Sequence, residues 1–127
     1  MMKFKDKEIK VKIVDNALED YQELNKTVGE ERKKGINSSF NQTLFKAIKK
    51  RIEFLKENPE YGIHIPKDRI PPSYIKEYEV NNLWKVDLPK AWRMIYTIKG
   101  TEIEIISLIL DIYNHRNYEK RFKYRKS

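Results

Sequence analysis

A small set of side chains in the later part of this chain is suited to gripping an oxyanion and moving protons: Lys85, Asp87, Arg93, His115, Arg116 and Tyr118. A guanidinium can pair with a phosphate through two parallel N–H bonds, and an ammonium acts as a compact point charge. An unperturbed imidazole titrates near about 6.5, so His115 can give or take a proton close to neutrality. A phenol can donate a proton, and a carboxylate can accept one. Lys120, Lys123, Arg125 and Lys126 follow in a basic and aromatic tail and are candidates for contact with a nucleic-acid backbone.

These residues can cooperate only if the chain brings them together, and the apolar pattern predicts how. The run L-W-K-V-D-L at 83–88 alternates, with Trp84, Val86 and Leu88 on one face and Lys85 and Asp87 on the other. After a short break at Pro89, Trp92, Met94, Tyr96 and Ile98 alternate with Arg93, Ile95, Thr97 and Lys99. A K-G-T turn then leads into residues 102–112, apolar on both faces as an interior strand should be. The expectation is an antiparallel meander with its aromatic face under helices and Lys85, Asp87 and Arg93 together on the other. The tryptophans, alternating with Val86 and Met94, are predicted to pack in the core and not to stack bases.

Upstream, residues 8–14 alternate Ile9, Val11 and Ile13 with Lys10 and Lys12, which predicts a half-buried first strand. Asn16 and Glu19 have the spacing of a capping box, and Leu18, Tyr21, Leu24 and Val28 predict a helix to about Gly29. Residues 30–35 read equally as an extension of that helix or as a polar connection. Ser39 and Gln42 mark a second helix start, with Phe40, Leu44, Ile48, Ile52 and Leu55 as its stripe and Asn58–Pro59 as its stop. Its outer lysines are predicted to be a solvated face. Pro59, Gly62, Pro66, Pro71 and Pro72 exclude a long helix between 59 and 82, and His64 within it is expected to be buried or half-buried and structural. The tail is predicted to form a short helix that docks Phe122 back onto the body.

The order β-α-α-β-β-β, with a helical hairpin on one face of an antiparallel sheet and a basic tail, is an α+β fold, and 127 residues make one domain. The absence of cysteine excludes disulfides and thiolate metal sites, and two histidines far apart make a metal site unexpected. The opening M-M-K-F-K-D-K-E lacks the apolar core of a secretory signal, and no apolar run reaches membrane-spanning length, so a cytoplasmic protein without a membrane partner is expected. A net charge of +8, from 27 Lys and Arg against 19 Asp and Glu, favours a polyanionic partner, either nucleic acid or an acidic protein. Lysine-rich surfaces of heat-adapted proteins have the same composition.

The pattern L-W-K-V-D-L, then W-R-M-I-Y, then an apolar strand ending in H-R-N-Y, resembles the RelE/ParE toxin superfamily of type II toxin–antitoxin systems over about residues 8–122. The resemblance to the RelE-like branch implies metal-independent cleavage of mRNA on the ribosome, without a cofactor. The RNA 2′-hydroxyl attacks the neighbouring phosphate, leaving a cyclic phosphate and a free 5′-hydroxyl. It implies Lys85 and Arg93 as phosphate-binding cations, Arg116 as a second phosphate clamp, His115 as acid or base, and Tyr118 as a stacking or proton-transferring ring. It also implies a cognate antitoxin, acidic in character. Asp87 departs from the pattern, since many relatives carry a cation there; it is either a cross-strand partner of Arg93 or Lys85 or a catalytic base. Two other readings stand beside cleavage: a ParE-like toxin acting by binding a protein, and an RNA-binding domain of the same fold without catalysis.

Overall fold

The computed structural model describes residues 7–123. The order is β1 (Glu8–Ile13), α1 (Asp15–Lys33), α2 (Phe40–Glu57), β2 (Ile63–His64), α3 (Pro72–Tyr78), β3 (Trp84–Asp87), β4 (Arg93–Gly100), β5 (Glu104–Tyr113) and α4 (His115–Lys123). The α+β architecture and the β-α-α-β-β-β core are as the pattern predicts. The sheet has five strands in the order β1-β5-β4-β3-β2. It is mixed, because β1 runs parallel to β5 while the other neighbours are antiparallel.

The helical hairpin differs from expectation at its first helix. The helix starts at Asp15 after Val14, with no side-chain cap, so the Asn16–Glu19 capping box does not form. It continues through the polar segment to Lys33 and stops at Gly35, whose φ of +83° is open to glycine and strained for other residues. Ser39 caps α2 as predicted, its hydroxyl accepting from the Gln42 N–H at 3.2 Å. Glu31 near the end of α1 accepts from Ser39, Asn41 and Gln42 at the start of α2, which fixes the hairpin angle.

One sheet face packs under α1 and α2. Val86, Leu88, Met94, Tyr96, Ile109 and Ile112 meet Ala17, Leu44, Ile48 and Leu55 there. Trp84 and Trp92 are partly buried against the same core, as their alternation predicts. The opposite face is also covered. Ile95 and Leu110 pack beneath Ile65, Ile70, Tyr74, Val80 and Leu83 from the proline-rich segment, with Tyr118 and Phe122 from α4 beside them.

The proline-rich segment is held closely to the sheet. Tyr96 donates its hydroxyl to the Pro59 carbonyl at 2.6 Å and accepts from the Gly62 N–H at 3.0 Å. Burial pushes that phenol up to about 12. Asn82 clamps the entry to β3: its side-chain oxygen accepts from Trp84 Nε1 at 3.0 Å and from the Ile98 N–H at 2.9 Å. No described helix is long and apolar enough to cross a membrane.

Candidate functional site

On the second sheet face, β3 and β4 pair Lys85 with Ile95 and Asp87 with Arg93. Directly opposed residues in an antiparallel pair point to the same side, so the predicted cluster of Lys85, Asp87 and Arg93 forms. Arg93 Nε lies 3.1 Å from Asp87 Oδ1; the arginine side chain is 18% exposed and the carboxylate 59%. The contact is an ion pair and not an aligned hydrogen bond, and Nε has no hydrogen-bond partner.

α4 then lays Tyr118 across these residues. Asn114 opens the helix, its side-chain oxygen accepting from the Asn117 N–H at 2.8 Å and its carbonyl from the Tyr118 N–H at 3.0 Å. Tyr118 stacks on Phe122 with centroids 4.5 Å apart. The Arg93 guanidinium carbon lies 5.1 Å and Lys85 Nζ 5.7 Å from the Tyr118 ring centre. Both distances are within the range of cation–π attraction. With Phe122 and two cations already around it, the ring is engaged within the protein, which argues against its serving as a base-stacking platform. Burial raises the phenol's pKa, and the charge of Arg93 opposes that rise in part.

The other predicted residues are distributed more widely. His115 and Arg116 are exposed in the first turn of α4. At about 100° per residue, His115 falls roughly 60° from Tyr118 around the helix and Arg116 roughly 160°. His115 is thus on the flank of Tyr118, while Arg116 turns away from Lys85 and Arg93 and does not form the second clamp of their cluster. Lys120 is exposed on the far flank, where it lines a shallow depression of about 690 Å³ with Pro71, Pro72, Tyr113 and Arg121. Nothing is described of the Lys123 side chain, and Arg125 and Lys126 lie outside the described residues.

A deeper hollow of about 490 Å³ opens between residues 63–69 and α4, and Lys85, Tyr118, His64, Arg69, Asp68 and Glu119 line it. Four of these, His64, Arg69, Asp68 and Glu119, are not among the site residues that the sequence singles out. His64 is exposed on the edge strand, 4.9 Å from Trp84 in edge-on contact, and is not the buried or half-buried structural histidine expected of it between Ile63 and Ile65. An edge strand of two residues leaves side chains on both faces accessible, so flanking apolar residues do not imply burial. Arg69 ends a 3-10 turn, Lys67–Arg69, held by its own N–H donating to the Pro66 carbonyl at 2.8 Å. The one sequence signal for it was a basic residue in a proline-bounded loop long enough to suggest function.

Behind the site lies a buried polar network. The β4–β5 pairing shifts register between Ile95 and Tyr96, leaving Leu110 unmatched. Leu110 and Asp111 therefore both serve the second face, and Ile112 returns to the first. Asp111 is 4% exposed and accepts from the Tyr74 hydroxyl at 2.8 Å. Arg121 approaches Asp111 at 3.9 Å, donates to the Tyr113 hydroxyl at 2.8 Å and stacks over the Tyr74 ring at 4.1 Å. Burial raises the pKa of Asp111, and the Tyr74 hydrogen bond and Arg121 oppose it. This network anchors α4 and thereby positions Tyr118.

Among the described residues, no group of three or more His, Asp or Glu is placed to hold a metal ion. Compared with protein-family models, curated proteins and solved structures, the chain matches no family model, no curated protein and no solved structure.

Proposed function

We propose that this protein is the toxin of a toxin–antitoxin pair, an endoribonuclease that cleaves mRNA on the ribosome by attack of the RNA 2′-hydroxyl without a metal ion. The observation that carries this reading is the convergence of Lys85, Arg93 and Tyr118, from two strands and the last helix, beside an open hollow. In-line attack by the 2′-oxygen places extra negative charge on the phosphate oxygens, and two fixed cations in a partly buried site stabilise that charge. The departing 5′-oxygen needs a proton. Tyr118 is suited to supply it, because a raised phenol pKa keeps the ring protonated at neutral pH. His115, on the flank of Tyr118, is the base assigned to the 2′-hydroxyl. A chain of charge +8 acting on ribosome-bound mRNA works in the cytoplasm, and an acidic antitoxin is the partner that would neutralise it.

The test is expression of the wild type, Arg93→Ala and His115→Ala, with growth and mRNA cleavage on translating ribosomes as readouts. Growth arrest and cyclic-phosphate ends are expected for wild type, with both lost in the variants while their melting temperatures hold. A wild type that neither arrests growth nor cuts mRNA would remove the enzyme reading. The ion pair of Arg93 with Asp87 favours a second reading, an RNA-binding domain without cleavage, because it occupies the central cation. RNA binding without cleavage would select that alternative, and growth arrest without either would select a toxin that binds a protein.

A further inference from the structure

We propose that the hollow between residues 63–69 and α4 binds one nucleotide unit of a single RNA strand, with Arg69 and Lys85 holding its phosphate. This rests on RNA being the ligand of the Lys85–Arg93–Tyr118 cluster, and it adds a wall and a cation supplied by the proline-rich segment. The size fits: about 490 Å³ exceeds what a phosphate needs and lies within the usual range of small-ligand pockets, roughly 300–1,000 Å³. Lys85 belongs both to this lining and to the Tyr118 cluster, so a bound strand would pass from one to the other without a gap.

The charges define the ligand more narrowly than a basic patch does. Lys85 and Arg69 line the hollow, and neither has an ion-pair partner among the described residues. Asp68 and Glu119 line it as well. Because Lys85 joins this lining to the Arg93 and Tyr118 cluster, the cations extend along a path that suits the successive phosphodiesters of a strand more than a compact triphosphate. Pro66, Ile65 and Phe122 offer apolar surface to a base or ribose. The wall itself is firm. Ile63 pairs with Lys85 and His64 with Trp84, and the Ile65 N–H donates to the Leu83 carbonyl at 2.9 Å.

The experiment titrates the whole protein into a labelled RNA tetranucleotide carrying 2′-O-methyl groups, so that the attacking oxygen is blocked and binding is read apart from cleavage. The wild type, Arg69→Gln, Arg69→Lys and a surface control, Lys50→Ala, are compared across a series of salt concentrations. Arg69→Gln is expected to weaken binding about fivefold to tenfold at low salt. It should also lower the slope of log affinity against log salt by about 0.7, the loss of one single-strand phosphate contact. Arg69→Lys should restore the slope and Lys50→Ala should leave it unchanged. ATP and oligoglutamate at equal concentration should not displace the strand. A slope unchanged in Arg69→Gln, or displacement by ATP or oligoglutamate as effective as by unlabelled RNA, would overturn the proposal. Arg69 is exposed, and the bond it makes to Pro66 is through its backbone N–H, which every variant keeps, so the folded state survives its replacement, and melting curves verify this. The outcomes also separate the two claims. Binding with the expected slopes but no cleavage on ribosomes sinks the enzyme reading alone, and cleavage with an unchanged slope sinks this proposal alone.

Discussion

Asp87 stands directly across the β3–β4 ladder from Arg93, its Oδ1 3.1 Å from the guanidinium Nε. The carboxylate is the more exposed partner, so the pair adds little stability while it offsets the charge of the cation proposed to bind phosphate. Asp87→Ala is expected to change stability by less than about 1 kcal/mol. Binding of the uncleavable tetranucleotide should tighten about threefold at low salt, with cleavage retained. Denaturant titration and RNA titration measure the two effects. Cleavage lost while binding is kept would instead assign Asp87 the role of base.

Tyr118 combines a structural ring with the hydroxyl proposed as the acid, and substitution separates them. Tyr118→Phe keeps the stack on Phe122 and the surface beneath Arg93 and Lys85, so stability should stay within about 0.5 kcal/mol. Loss of the acid should lower cleavage by about 100-fold. Tyr118→Ala should also cost about 1–2 kcal/mol through lost half-buried apolar area. Because burial raises this pKa, the alkaline limb of the wild-type pH–rate profile belongs above the ordinary phenol value of about 10. A limb well below that value would assign the acid to another group.

Gly62 is required by close approach and not by backbone conformation. A Cβ there would lie 2.6 Å from the Lys85 carbonyl oxygen and 2.9 Å from the Tyr96 ring. Gly62→Ala should therefore push β2 off β3, costing about 1–3 kcal/mol. Since β2 carries the wall of the hollow, RNA affinity should fall with it. A melting temperature equal to wild type would show that the edge yields without strain.

Asp111 predicts a pH dependence whose sign follows from burial. Its folded-state pKa lies above the unfolded value of about 3.9, so the folded protein binds that proton more tightly. This contribution favours folding below the unfolded pKa and is withdrawn as pH rises through the folded one. Urea midpoints measured across that window should show the slope in wild type and lack it in Asp111→Asn. Asp111→Ala removes the buried acceptor of the Tyr74 hydroxyl and one ion-pair partner of Arg121, and should cost about 2–3 kcal/mol. Faster amide exchange along α4 would show that the helix loosens with its anchor.

The amino-acid sequence by itself determined the local elements and their faces. Period-two alternation through Trp84, Val86 and Leu88 and through Met94, Tyr96 and Ile98 leaves one way to bury an aromatic face, and Lys85, Asp87 and Arg93 must then share the other. Ser39 and Asn58–Pro59 mark α2 through backbone chemistry that acts within one turn. The tertiary structure decided whatever depends on pairing between distant segments. The parallel union of β1 with β5 is one case, and the bulge that turns Asp111 toward α3 and α4 against its place in the alternation is another. The arrival of Tyr118 over Arg93, the turning away of Arg116, and the wall that brings Arg69 and His64 to the hollow belong to the same class. Alternation records which side of a strand is apolar, but it carries no record of which segment packs on that side. That choice is set by the fit of whole elements once the chain has closed on itself.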